Sequence, residues 1–294
     1  MPCYHPITAW RSKEGRKNGK WPIVFKRQEG YTSHEMKVPC GQCIGCKLER
    51  SRQWAIRCTN EASLYEKNCF ITLTYSPENL SPDGSLKKRD FVLFMKRLRK
   101  KYGEQIRFFH CGEYGENFNR PHHHACIFNH DFEDKYHWNT LNSIPVYRSE
   151  QLEKLWPFGF CTIGTVTWDS AAYVARYCTK KITGEKAEAH YQGKEPEYVT
   201  MSRNPGIGKA WYDKYKSDLF THDMQVIRDG LIVKPAKYYD KQFDIDEKFK
   251  MDCFKYRRQK NVNVAENEID RLLVKEKITH LRMNKLPRLL EVET

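Results

Sequence analysis

Arg120-Pro121-His122-His123-His124-Ala125-Cys126-Ile127-Phe128 combines three consecutive histidines with a small and apolar ending, the composition of a strand entering a core. Side chains alternate between faces along a strand, so His122 and His124 point one way and His123 the other. Two imidazoles on one strand face make a ligand pair for a divalent metal, held rigidly by the sheet beneath them. A polar surface strand with three solvated histidines is the simpler alternative. The apolar ending from Ala125 to Phe128, and a second chemical group farther along the chain, favour the ligand pair.

Working outward, Ile106 to Cys111 is a predicted strand running into Gly112-Glu113-Tyr114-Gly115. The near-hairpin it forms with the histidine strand carries Glu113 towards His122 and His124. A carboxylate beside two imidazoles gives three ligands with open positions for water or a substrate oxygen, as metal catalysis requires. Cys69 to Tyr75, β-branched and aromatic, is a further strand. Between them Asp90 is expected to cap a helix that buries Phe91, Phe94, Met95 and Leu98. Lys96, Arg97, Arg99, Lys100 and Lys101 crowd its other faces. They form either a solvated surface or a phosphate-contacting one, with Arg97, Lys100 and Lys101 the candidate DNA contacts.

Residues 129 to 150 read as an exposed loop, followed by a short helix near Leu152, Leu155 and Trp156 and a strand from Phe160 to Thr167. Asp169 or Ser170 is then expected to cap a helix carrying Ala171-Ala172-Tyr173-Val174-Ala175-Arg176-Tyr177-Cys178-Thr179-Lys180-Lys181. At 3.6 residues per turn, Tyr173, Tyr177 and Lys181 stack along one face. Two core aromatics at helical spacing would give the same pattern. The run of Tyr177 into Lys180 and Lys181 argues instead for a pair of phenols beside cations, with Arg176 a further DNA contact. Asn204-Pro205-Gly206-Ile207-Gly208-Lys209-Ala210 is not a Walker loop: Arg203 stands where a glycine is required and Ala210 where Ser or Thr is required. No nucleotide-driven motor is indicated.

The chain has 294 residues and a formal net charge of +14, which favours a polyanion, nucleic acid before an acidic membrane surface. Residues 1 to 60 hold 12 Lys and Arg against 4 Glu and carry +8 of that charge. No apolar run is long enough to span a membrane, and none resembles an export signal. The 11 cysteines suit a reducing compartment better than a disulfide framework. Cys40, Cys43 and Cys46 lie at spacings of three with glycines between, and Cys3 is the natural fourth ligand of a closed structural zinc site. His5 and His34 are reserves. A loop of free thiols is the alternative, because the usual second CxxC is missing. From Asp223 onward the chain is charged and sparsely apolar, with an amphipathic helix expected over 266–284 and ended by Pro287.

The strand Phe70 to Tyr75, the paired histidines with Glu113 upstream, and the helix bearing Tyr-x-x-x-Tyr and lysines together resemble the HUH endonucleases of the two-tyrosine replication-initiator class. Val38-Pro39-Cys40-Gly41-Gln42-Cys43-Ile44-Gly45-Cys46 and the stretch from Ser202 to Gly208 narrow the likeness to initiators of microviruses, the small single-stranded DNA phages of gokushovirus type. It covers roughly residues 1 to 215. Its middle motif position is His123, where that superfamily usually has a hydrophobic residue. The resemblance implies an α+β fold, a central antiparallel sheet with packed helices and a ferredoxin- or RRM-like core. It implies Mg²⁺ or Mn²⁺ at Glu113, His122 and His124, and attack by Tyr173 or Tyr177 on origin DNA, single-stranded or supercoiled, leaving a 5′-phosphotyrosyl bond and a free 3′-hydroxyl. A phenol with an ordinary pKa near 10 needs such help at neutral pH.

Three divisions are expected: a basic segment at 1–66 with the possible zinc site, a nicking and joining domain at 67–220, and a charged, partly helical region at 221–294. The expected setting is the cytoplasm of a bacterial host, with a helicase and replication machinery supplied by the host and no membrane partner. A transposase or plasmid relaxase would share the chemistry. A non-catalytic, zinc-containing single-stranded DNA-binding protein would share the charge.

Overall fold

The computed structural model describes residues 3–17, 21–115, 118–141, 143–177, 186–227 and 230–285, and for residues 176, 177, 186, 284 and 285 it describes the backbone alone. In chain order the elements are β1 (Ile7–Ser12), β2 (Ile23–Val24), β3 (Gly30–Val38), α1 (Ile44–Ala62), β4 (Asn68–Thr74), α2 (Lys88–Tyr102), β5 (Arg107–Tyr114), β6 (Pro121–Phe128), β7 (Tyr136–Leu141), β8 (Ile144–Arg148), α3 (Glu150–Leu155), β9 (Cys161–Gly164), α4 (Trp168–Tyr177), α5 (Lys186–Tyr191), β10 (Tyr198–Met201), α6 (Lys209–His222), β11 (Gln225–Val226), β12 (Ile232–Val233), α7 (Lys237–Asp246), α8 (Lys248–Lys260) and α9 (Ile269–Lys285). The protein is α+β, as expected. One compact unit takes the chain up to Glu49 together with the stretch from Asn261, and the other takes Arg50–Lys260.

The larger unit is built on a seven-stranded antiparallel sheet of order β10-β5-β6-β4-β9-β8-β7. Its central strands are apolar on both sides because helices cover both faces. On the front face Phe70, Phe109, Cys111, Cys126 and Phe128 pack with Ala55 and Cys58 of α1 and with Ala171, Val174 and Ala175 of α4. On the back face Ile71, Leu73, Ala125 and Ile127 pack against Phe91, Phe94, Met95 and Leu98 of α2 and against Leu152 and Leu155 of α3. A third cluster joins Ile56 to Tyr212, Phe220, Tyr239, Phe243 and Phe254 of α6, α7 and α8.

Three local expectations change. Residues 129–150 hold β7 and β8 rather than a loop; β7 is almost wholly exposed, so it shows no apolar alternation to read. Asp90 lies inside the first turn of α2, whose N-cap is Lys87, and its carboxylate accepts a hydrogen bond from the Tyr75 hydroxyl at 3.0 Å. At α4 the cap is Thr167: its Oγ1 accepts from Ser170 N–H at 3.1 Å while Ser170 Oγ accepts from Thr167 N–H at 2.8 Å, a reciprocal capping box.

The stretch 204–210 is a helix entry filled by a carboxylate. Gly208, at φ +79°, donates its N–H to Glu61 Oε2 at 2.6 Å, and the other Glu61 oxygen pairs with Arg107 at 2.5 Å. A Cβ at Gly208 would sit 2.6 Å from the Tyr239 hydroxyl, so the position needs glycine for both its backbone and its space.

In the smaller unit β1 lies between β2 and β3. The C-terminal helix α9 belongs to this unit: Thr279 meets the Tyr4 hydroxyl at 2.7 Å, and Glu276 meets His5 Nε2 at 2.7 Å.

Candidate metal centre

Register places the three expected ligands. In the β5–β6 pairing Glu113 stands opposite His122 and Cys111 opposite His124, while Thr74 and Thr72 of β4 face the same two histidines from the other side. Directly opposed residues hold their Cβ atoms about 5 Å apart, so one carboxylate serves both rings. Glu113 Oε1 lies 2.6 Å from His122 Nε2 and 2.9 Å from His124 Nε2. Glu113 and His124 are buried and His122 is half-buried.

The outward nitrogens are also engaged. His122 Nδ1 lies 3.1 Å from the Arg120 carbonyl and His124 Nδ1 lies 2.9 Å from Thr72 Oγ1. A carbonyl only accepts, so His122 carries a proton on Nδ1, and in a neutral ring its Nε2 lone pair then faces the Glu113 oxygen. Two acceptors at hydrogen-bond distance need a proton or a cation between them. The donor set therefore fits a divalent ion, with the outward hydrogen bonds orienting the rings. Burial opposes ionisation of Glu113, but protons on the Nε2 atoms of His122 and His124 outweigh burial and hold its carboxyl below the usual range, the place a cation would take beside neutral rings.

Tyr173 of α4 is buried above this group. Its ring centroid is 5.2 Å from that of His124, edge-on, and 6.4 Å from that of Phe70, which stacks on His124 at 5.7 Å. Tyr177 lies one helical turn on along α4. Its side chain, that of Arg176, and Lys180 and Lys181 are outside the described residues.

The expected DNA contacts on α2 do not join the centre. α2 covers the back face, where Arg97 donates to the Leu155 carbonyl at 2.9 Å and Lys101 to Gln151 Oε1 at 3.1 Å, while Lys100 is exposed. Arg97 thus ties α2 to the end of α3. Thr72 was missed: it is a strand residue like many others until the register sets it against His124.

The second thiol-rich expectation also comes together. The sulfurs of Cys3, Cys40, Cys43 and Cys46 all lie within 4.8 Å of one another, with Cys40 to Cys46 at 4.0 Å and Cys43 to Cys3 at 3.8 Å. Four sulfurs around zinc at the usual bond length sit about 3.8 Å apart, so the set fits that ion. Backbone N–H groups aim at the sulfurs, Cys40 N–H at Cys3 (3.2 Å), Tyr4 N–H at Cys43 (3.3 Å) and Cys43 N–H at Cys40 (3.3 Å). Burial raises the Cys43 pKa, but N–H donation from Cys46 and Tyr4 outweighs it and brings the thiol down to about 6. Burial pushes Cys46 up, and the neighbouring Cys3 and Cys43 add to the rise.

Among the described residues no helix is long and apolar enough to cross a membrane. No solved structure matches the chain. The family model for Replication-associated protein ORF2/G2P matches residues 68–182, a span running from β4 past α4 that contains Glu113, His122, His124 and both helix tyrosines. Replication-associated protein VP4 of Bdellovibrio phage phiMH2K is 36% identical over 254 residues, covering 81% of this chain and 76% of that protein. Replication-associated protein ORF2 of Spiroplasma virus 4 is 31% identical over 284 residues, covering 88% and 86%. Replication-associated protein ORF4 of Chlamydia phage 1 is 31% identical over 214 residues, covering 68% of this chain and 53% of that protein. The chain belongs to this replication-associated protein family, and the likeness to microvirus initiators read from its motifs is borne out.

Proposed function

We propose that this protein initiates phage DNA replication by nicking and rejoining a single strand at the origin, as an HUH endonuclease with a tyrosine nucleophile. The observation that carries the reading is one buried carboxylate oxygen shared by the Nε2 atoms of His122 and His124, on the sheet face that Tyr173 covers. Glu113, His122 and His124 would hold Mg²⁺ or Mn²⁺, which supplies Lewis-acid polarisation of the scissile phosphate. A phenolic oxygen of Tyr173 or Tyr177 bonds to phosphorus, the bond to the 3′ oxygen breaks, and the proton lost by the phenol is balanced by the one gained at the 3′-hydroxyl. The product is a 5′-phosphotyrosyl ester, which conserves the energy needed for rejoining. The second tyrosine, one helical turn away, makes the next cut while the first is occupied. Lys181 and Lys180 stabilise charge on the phosphate or favour the phenolate. The partner is origin DNA in the host cytoplasm, with strand opening supplied by a host helicase.

The test is incubation with a labelled single-stranded oligonucleotide from the phage's own origin and Mn²⁺, followed by peptide mapping of any covalent adduct. Attachment at Tyr173 or Tyr177 supports the mechanism. Attachment at a tyrosine outside α4, or an undiminished adduct when both are changed to Phe, removes it.

The thiol cluster supports a second component, a structural Zn²⁺ at Cys3, Cys40, Cys43 and Cys46 that organises the N-terminal unit. Metal analysis of the purified protein is expected to give about one zinc per chain, lost with Cys43→Ser together with stability, because zinc binding is coupled to folding. Zinc-free protein of unchanged stability would exclude the site.

A further inference from the structure

The row of paired residues that crosses the front face continues beyond the metal centre. Glu113 faces His122, and His122 faces Thr74. The N–H and hydroxyl of Thr74 both donate to the Phe160 carbonyl, at 3.0 and 2.9 Å, one position beyond the Leu73–Cys161 pair, so Phe160 shares the front face. Strands lie about 4.8 Å apart, which puts Phe160 roughly 10 Å from His122.

Beside it the guanidinium carbon of Arg148 stands 4.8 Å from the centre of the Phe160 ring. That group is held by Nε and Nη2 donating to Glu153 Oε1 at 2.9 and 2.6 Å. Trp138 meets Phe160 edge-on at 5.0 Å. Tyr136 pairs with Arg148 across β7 and β8 and shares its face. Trp138 is 39% and Tyr136 50% exposed, and both stand on β7, the outermost strand of the sheet. Large rings left in solvent on a chain of net charge +14, in line with a phosphate-handling centre, match the parts of a single-strand binding surface.

We propose that Phe160, Trp138 and Tyr136, with Arg148 laid against Phe160, form a stacking platform for the bases of single-stranded DNA beside the Glu113–His122–His124 centre. The inference rests on the nicking function and adds where the strand lies: across β9, β8 and β7, on bases next to the scissile phosphate. Every base has a π-face, so the platform tolerates sequence. The Arg148 charge is already met by Glu153, so it contributes its flat face rather than a phosphate contact.

The experiment measures binding of the full-length protein to a labelled oligodeoxythymidine of about 16 nucleotides, the upper end of a usual single-strand site, without divalent metal. A duplex of equal length and an abasic strand are measured beside it. Trp138→Ala is expected to weaken single-strand binding about tenfold, Tyr136→Ala less, and Trp138→Phe least. Duplex and abasic affinities, and the salt dependence set by phosphate contacts, stay at the native value. The platform is overturned if Trp138→Ala and Tyr136→Ala both bind the strand as the native protein does, or lose affinity equally for the abasic strand. Because no cleavage is read, a native protein that forms no covalent adduct would sink the nicking function while the base-dependent contrast still judges the platform.

Discussion

His122 and His124 on the front of β6, and His123 on its back, are one residue type put to opposite uses by strand parity. On the back face the hydrogen bonds close among neutral rings. Tyr75 OH donates to Asp90 at 3.0 Å and so accepts from His123 Nε2 at 3.0 Å. His123 Nδ1 then accepts from His110 Nε2 at 3.1 Å, and His110 Nδ1 accepts from the Thr200 hydroxyl at 2.8 Å. One arrangement of protons satisfies every atom. On the front face no arrangement of neutral rings does, because the Arg120 carbonyl leaves His122 with a lone pair aimed at a carboxylate. The difference teaches that an imidazole pair is fitted to hold a metal where its partner cannot be satisfied by a proton already present.

The largest expected effect breaks the front face. Glu113→Ala removes the oxygen shared by both rings and is expected to lower metal-dependent cleavage by more than the roughly 10- to 100-fold that even an outer hydrogen-bond partner is worth. Single-strand binding measured without metal should persist, since phosphate contacts dominate it. His122→Ala and His124→Ala should behave alike. If His123→Ala proves the damaging change for metal binding and His124→Ala is silent, the two faces have been assigned the wrong way round. Next in size is Thr72→Val, which keeps the shape and deletes the hydroxyl on His124 Nδ1. Titration with Mn²⁺ should show affinity about tenfold weaker.

Much of this centre was legible from spacing. Parity alone separated His123 from its neighbours, and the short connection after Gly115 carried Glu113 to them. What spacing could not give was register, so Thr72 stayed unmarked and Asp90 looked like a helix cap instead of the far end of the back-face relay. The basic run of α2 was visible as charge, but which sheet face α2 covers depends on packing of Phe91 and Phe94 that no local pattern fixes. β7 was missed because a strand exposed on both sides has no alternation. The Tyr-x-x-x-Tyr spacing was read correctly as helical through Tyr177, and Tyr173 turned out to be both buried and beside His124. The core and functional readings of that stripe were never exclusive.

A smaller effect sharpens the back face. His123 is fully buried, and His123→Ala would take one of two hydrogen-bond partners from each of Tyr75 and His110, leaving the His110 Nε2–H unmet. Each buried group left without its hydrogen bond costs about 1–3 kcal/mol, and for a unit of this size each kcal/mol lowers the melting temperature by about 2–4 °C. His123→Leu, which fills the space, should recover part of the loss. Cleavage by folded protein should stay near native for both variants, and a melting curve set against a cleavage rate separates the two faces.

The last and smallest effect is in acid, and His110 carries it. Burial, reinforced by His123 and His124, holds its pKa well below the usual 6.5. Around it stand His123 on β6, and Tyr198 on β10 at a ring distance of 5.6 Å, whose own pKa is pushed up by burial, while Phe91 of α2 stacks on the ring without charge. In the unfolded chain His110 takes up a proton as pH falls through about 6.5; in the folded protein it does so only at much lower pH. Between those limits the unfolded state binds more protons, so stability rises with pH and declines as pH drops below about 6.5. Urea unfolding between pH 7.5 and pH 5 should therefore show stability decreasing towards acid. His110→Gln, which keeps a donor and an acceptor without a titrating ring, should flatten that decline even if it lowers stability throughout. A slope unchanged by His110→Gln would mean that the back-face relay is not neutral as its hydrogen bonds require, and the contrast between the two faces of β6 would have to be drawn on burial alone.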